Sequence, residues 1–281
     1  RSSDLNLPKS FTLEDGDYTW STSDNQSPVN VGNYTIKLTQ AGINKIQSQI
    51  DQVVGAGNVG LTTTTDDGGS ASFEIKQAVA ANVQLYGGEN TIYNGNPVSF
   101  DPTKTETANN FGFHNVENLT VPTFTASDFT WYDGQGNKLS SAPTNAGTYY
   151  ISLTANGLKK LQADNPNYAI SESGQFTYVI SPAEENVTIS GSQESTSTSI
   201  DNANFTVHAP AGITVPTGMT YEFATGVPSE SGVYVIKLTP ESIAALEKTN
   251  PNYKLNISSD ARFTLDATLS IEFEDTQDGN K

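Results

Sequence analysis

Residues Asn145–Tyr178 read NAGTYYISLTANGLKKLQADNPNYAISESGQFTY. This 281-residue chain repeats their pattern from Val31 as VGNYTIKLTQAGINKIQSQI and from Ser231 as SGVYVIKLTPESIAALEKTNPNYKLNISSDARFTL. Gly147, Gly232 and Gly32 each stand just before an alternating segment: Tyr149, Ile151 and Leu153; Tyr234, Ile236 and Leu238; Tyr34, Ile36 and Leu38. Period-two alternation after a turn residue predicts a strand with one buried face. Each strand runs directly into a helix start. Thr154, Thr239 and Thr39 are placed to cap a free first-turn amide, and Pro240 takes the first helical position, where its missing N–H does no harm. The apolar positions that follow are Leu158 and Leu161, Ile243 and Leu246, or Ile43, Ile46 and Ile50, spaced to line one helix face. Asn165-Pro166 and Asn250-Pro251 end two of the helices, because the residue before proline is pushed out of the helical region. The Asn-Pro-Asn-Tyr motif thus reads as a helix stop that seats a tyrosine in the core. Extended runs then lead to a last strand, read as Phe176 to Ile180, Phe263 to Leu265 and Phe73 to Ile75.

Upstream, Leu119-Thr-Val-Pro122, Ile213-Thr-Val-Pro216 and Leu5-Asn-Leu-Pro8 hold equivalent places, each before an aromatic strand containing Trp131, Phe223 or Trp20. One helix across a mixed sheet is an α+β arrangement, mostly β, and the order hairpin, helix, strands is that of a β-grasp domain. The expected domains are 1–77, lacking an opening strand and carrying a Gly/Thr/Asp-rich loop at 55–70; 78–182, with an insertion at 103–116; and 183–266. Ala267-Thr-Leu-Ser-Ile-Glu-Phe273 resembles the opening strands Ala81-Asn-Val-Gln-Leu85 and Asn186-Val-Thr-Ile189, so 267–281 reads as the start of a further repeat or as a C-terminal strand. The chain begins with Arg and ends as a fourth repeat begins, which makes a fragment of a longer, monomeric, extended array the expectation.

The composition narrows the partners. Lys and Arg number 14 against 31 Asp and Glu, for a net charge of −17, with no cysteine. Nucleic-acid phosphates need a basic footprint that this chain lacks, and anionic membrane is equally disfavoured. No apolar run approaches the length of a membrane span.

The pattern GxYxIxLTxxGLxxLQxxNPNYxI followed by GxFTYxIxPA, as it stands at 147–183, resembles the MBG-type repeats of cell-wall-anchored surface proteins of lactobacilli and related bacteria, which accompany mucin-binding repeats. The resemblance covers three tandem units and is strongest at 145–182 and 231–265. It implies β-grasp-like domains in an extracellular, non-enzymatic adhesin region, with host mucin glycans or a host extracellular protein as partner.

Chemistry-bearing motifs are sparse. His114 and His208 are the two histidines, and without cysteine a zinc site needs carboxylates to complete it. Asp66-Asp67, Asp133–Asn137 and Asp275–Asn280 carry clustered oxygens but not the spacing of a calcium loop. No nucleophile elbow or phosphate loop is present, so no enzyme activity, metal or cofactor is expected. Lys37 and Lys237 share a strand position that Ser152 fills in the second unit, which argues against a shared isopeptide cross-link. Trp131, matched by Trp20 and Phe223, reads as a repeat-wide core position. The candidate ligand residues are Phe111, Phe113, His114, Tyr93 and Tyr132, since aromatic faces with polar edges suit sugar rings. The same rings can instead anchor the insertion. An adhesive region is the leading expectation, with a spacer that projects another domain, or an accessory region of a carbohydrate-active enzyme, as alternatives.

Overall fold

A computed structural model of the chain describes residues 8–61, 70–79, 82–103 and 111–266. Contacts gather into two units, one of residues 1–85, 113–128 and 153–174, the other of residues 86–112, 129–152 and 175–281. Expectations on Leu5 to Leu7, most of the 55–70 loop, 104–110 of the insertion, Asp66-Asp67 and 267–281 lie outside the described residues.

In the first repeat β1 (Tyr18–Trp20), β2 (Gly32–Leu38), α1 (Gln40–Val54) and β3 (Ser70–Ile75) follow in order. Strand β2 is the centre of an antiparallel sheet, β1-β2-β3. The second repeat contains β4 (Ala78–Val79), β5 (Val83–Tyr86), β6 (Gly88–Ile92), β7 (Gly112–His114), β8 (Phe129–Tyr132), β9 (Gly147–Leu153), α2 (Ala155–Ala163), β10 (Tyr168–Ala169), β11 (Glu172–Gly174) and β12 (Phe176–Ser181). In the first unit β4 pairs with β10, and β5 lies between β11 and β7; in the second unit the order is β6-β12-β9-β8.

The third repeat lies wholly in the second unit and shows the plan in full. It runs β13 (Ala183–Ser195), β14 (Phe205–His208), β15 (Tyr221–Phe223), β16 (Gly232–Leu238), α3 (Pro240–Thr249), β17 (Tyr253–Ser259) and β18 (Arg262–Leu265). Strand β13 changes partner along its length: Ala183 to Ile189 run parallel to β17, and Ser192 to Ser195 run parallel to β18. Gly191 stands at the change with φ of 126°, and a Cβ there would run into the carbonyl oxygen of Asn204. Gly87 has the same φ, 126°, between β5, which pairs with β11, and β6, which pairs with β12. Glycine reaches this region without steric cost.

The core of the third repeat joins Val187, Ile189 and Phe205 from the opening hairpin to Ile236, Leu238, Phe263 and Leu265 of the sheet. Leu246 of α3 closes it, with Ile243 packed against it. Each fully buried side chain of this size contributes about 1.5–3 kcal/mol. All three expected caps form: Thr39, Thr154 and Thr239 accept from the amides of Gly42, Gly157 and Ser242. The architecture is α+β and mostly β, with a short helix and mixed sheets in tandem β-grasp-like domains.

Register corrects one equivalence. Tyr34 lies opposite Phe73 and Tyr234 opposite Phe263, but Tyr149 lies opposite Tyr178. Tyr178, not Phe176, is therefore the counterpart of Phe263 and Phe73. The ring contacts agree: Trp20 meets Phe73, Trp131 meets Tyr178 and Phe223 meets Phe263, with centroids 5.8, 5.3 and 5.0 Å apart. The aromatic position shared by Trp20, Trp131 and Phe223 is thus structural in all three repeats.

Candidate functional site

Strand β6 forms one edge of the four-stranded sheet of the second unit. Its last residues lead into the turn Asn94-Gly95-Asn96-Pro97, where Gly95 has φ of 79° and the Asn94 side chain accepts from the Asn96 amide at 2.9 Å. Turn and strand border a groove of about 270 Å³. Glu89, Thr91, Tyr93, Asn94, Asn96 and Tyr178 are among the residues that line it. Tyr93 is half-buried, and the edge-on approach of Tyr253, with centroids 5.3 Å apart, fixes its ring. Amides, a carboxylate and a hydroxyl beside a fixed ring offer both the polar and the apolar contacts that a sugar requires.

The five candidate residues do not form one cluster. Phe111 is buried in a cluster with Phe100, Phe129 and Phe176, its centroid 5.4, 5.7 and 6.1 Å from theirs. It anchors the core, so its ring face is not offered to a ligand. Phe113 is half-buried, with its ring on Phe124 at 5.4 Å, while His114 at the end of β7 is exposed. Tyr132 ends β8, the edge of the four-stranded sheet opposite β6, so it is not brought together with Tyr93. Sequence reasoning named Tyr93 among its candidates but not Asn94, Asn96 or Glu89, which line the same groove. The signal for them was the Asn-Gly-Asn-Pro turn that follows an alternating strand.

The Asn-Pro-Asn-Tyr motif does more than end a helix. Its first asparagine is buried and closes its own repeat. Asn165 accepts from the Thr120 amide at 2.7 Å and donates to the carbonyls of Thr120 and Leu161, both at 2.8 Å. Asn250 does the same with Thr214 and Leu246. The second asparagine reaches the preceding repeat. Within the first unit, Asn167 accepts from the Val31 amide at 2.8 Å and donates to the Asn30 side chain at 2.9 Å. Within the second, Asn252 accepts from Ala146 at 2.8 Å and donates to Asn145 at 3.0 Å. The backbone joins in, since the Ala78 and Ala183 amides donate to the carbonyls of Asn167 and Asn252. Tyr168 and Tyr253 are half-buried rather than seated in the core, because their strands pair with the segment that opens the repeat.

The family model for the MBG domain matches residues 2–77, 80–182 and 185–272. The chain belongs to the MBG domain family. No curated protein matches it. Among solved structures it is similar to a cell surface adhesin from Lactobacillus reuteri, at 35% identity over 35% of this chain and 94% of that one, with a TM-score of 0.28.

Several other polar groups of the MBG repeats are engaged locally. Asp133 accepts from the side chain and amide of Asn137 and from the Gln135 amide, and these bonds hold its carboxyl below the usual range. Lys237 pairs with Glu222 at 3.1 Å, and His208 meets the Ser190 hydroxyl at 2.6 Å. Among the described residues Glu172 differs. Its Oε1 is buried without a hydrogen-bond partner, and burial pushes its carboxyl up to about 7. Among the described residues no group of three or more carboxylates and histidines is arranged to hold a metal ion. No helix among them is long and apolar enough to cross a membrane.

Proposed function

We propose that this tandem MBG region is a non-catalytic, adhesive part of a bacterial surface protein, and that it takes host mucin-type glycans in the groove along β6. The groove carries the reading, because Tyr93, held edge-on by Tyr253, lines it together with Glu89, Asn94 and Asn96. The repeats divide at 77/78 and 182/183, and the groove belongs to the second. A protein surface decorated with such glycans is the partner; Phe113, His114 and Tyr132 lie outside the groove. Binding of the chain to immobilised mucin glycans tests this directly. Tyr93→Ala lowers the affinity about tenfold, the loss of one good ring contact, whereas His114→Ala leaves it unchanged.

A second reading, a spacer that holds another domain away from the cell wall, is favoured by the hydrogen bonds of Asn167 and Asn252 at the repeat boundaries. A correctly folded chain that binds no glycan on a broad panel would make the spacer the function.

A further inference from the structure

We propose that the groove along β6 is one half of a longer channel, and that its ligand is an unbranched, uncharged oligosaccharide of three or more sugars; this rests on the glycan reading of that groove. A second recess of about 400 Å³ lies in the same unit, and Asp133, Ser140, Ser141, Asn145 and Tyr149 are among the residues that line it. Thr144 lines both.

The sheet beneath sets the two recesses side by side. Glu89 on β6 is paired with Tyr178 on β12, and Tyr178 with Tyr149 on β9. Directly paired residues point to one face of a sheet, so the three form a row across it. Glu89 and Tyr178 belong to the first recess and Tyr149 to the second. Across two strand spacings the row runs roughly 10 Å, a length that one sugar ring does not fill.

The walls are fixed before any ligand arrives. The Val98 amide donates to the Pro143 carbonyl at 3.0 Å, which ties the segment after the Asn94–Pro97 turn to the one that carries Thr144, and the Leu139 amide donates to the Trp131 carbonyl at 2.8 Å. The Tyr149 hydroxyl donates to the Asn145 carbonyl at 2.9 Å, and the Asn145 side chain is held in turn by Asn252. A site that needs no ordering gives up less free energy on binding. Each recess thus offers a tyrosine ring, Tyr93 or Tyr149, among amide, hydroxyl and carboxylate groups, the set of contacts that successive sugars require. The charge selects among them. Glu89 lines one recess and Asp133 the other; the bonds from Asn137 hold the Asp133 carboxyl low, and burial and then the Asp133 charge push the Tyr149 hydroxyl up. An acidic sugar meets like charge in either recess, on a chain whose net charge is −17, and like charges brought together act against the wrong partner.

Calorimetric titration of the full chain with galactose, N-acetylgalactosamine and N-acetylglucosamine, and with linear neutral oligosaccharides of two to four sugars built from them, tests the proposal. We expect the affinity to rise about tenfold or more from disaccharide to tetrasaccharide. Ser141→Trp, at an exposed position of the second recess, removes that rise and leaves the disaccharide affinity unchanged, which also shows that the variant is folded. A terminal sialic acid weakens the tetrasaccharide, and added salt narrows the difference. Affinity that is independent of length but still falls in Tyr93→Ala overturns the second recess and leaves the first standing. A rise with length that Ser141→Trp preserves overturns it too, and a sialylated tetrasaccharide bound as tightly as the neutral one overturns the choice of an uncharged ligand. Binding of nothing at any length overturns the glycan reading itself, and this inference with it.

Discussion

Glu172 is a carboxylate for which the fold provides too little. Its pKa of about 7 in the folded chain exceeds its ordinary value of 4.5, so the folded state holds the proton more tightly than the unfolded state does. Stability therefore falls as the pH rises from 4.5 towards 7 and levels off above, the reverse of a carboxylate in an ion pair. Replacing it with glutamine removes the cost of the charge, and part of the side chain's exposure moderates the gain. Glu172→Gln is expected to raise the melting temperature by about 2–4 °C at pH 8 and to leave it unchanged at pH 4; thermal denaturation at the two values checks this. Asp128 behaves oppositely. The Thr125 amide bonded to its carboxyl, aided by Lys160, holds its pKa down, so its contribution is present at neutral pH and is lost as acid protonates it. Neither environment was legible in the sequence. Burial of a single polar side chain depends on the neighbouring strands, and Glu172 sits in a run, Ser171-Glu-Ser-Gly174, that reads as a solvated turn.

At the scale of elements, the helix starts were the most legible part of the fold, because a cap is set by residues adjacent in sequence. What the caps are pressed against was not. Gly42 lies at the third position of α1, and a Cβ on it would run into the Asp17 carbonyl; at Gly157 the Asp128 carbonyl would be 2.6 Å away. Ser242 holds the same position in α3, and its hydroxyl accepts from the Thr220 amide at 2.9 Å. The intrinsic preference of a helix for alanine over glycine is about 1 kcal/mol, but the obstacle at Gly42 is backbone. Gly42→Ala is expected to destabilise the first repeat by about 1–3 kcal/mol, measurable as a lower denaturation midpoint, against the direction that propensity alone gives. Strand register was the weaker part of the reading for a related reason. Phe176, Tyr178 and Ile180 all face inward, so a shift by two residues leaves the hydrophobic pattern intact, and only the pairing of Tyr178 with Tyr149 decides it.

Across the whole molecule the repeats were legible as repeats because the pattern recurs in sequence, while the contacts that link them run between asparagines far apart in the chain. The two asparagines of one motif make separable predictions. Asn250 acts inside the third repeat and Asn252 on the turn at Asn145. Asn252→Ala removes the acceptor for the Ala146 amide and is expected to weaken that junction by about 1–3 kcal/mol. Faster hydrogen exchange at Ala146, with the core amides of the third repeat unchanged, is the signature. Loss of protection throughout the core amides of the third repeat would assign Asn252 to the repeat's own stability instead. The same motif bears on how such arrays change length. Its donor and the turn that receives it both lie within the unit that recurs, so a duplicated gene segment brings its own connector at one end and its own socket at the other. Copies can then be gained or lost by recombination without any compensating substitution at the new boundary.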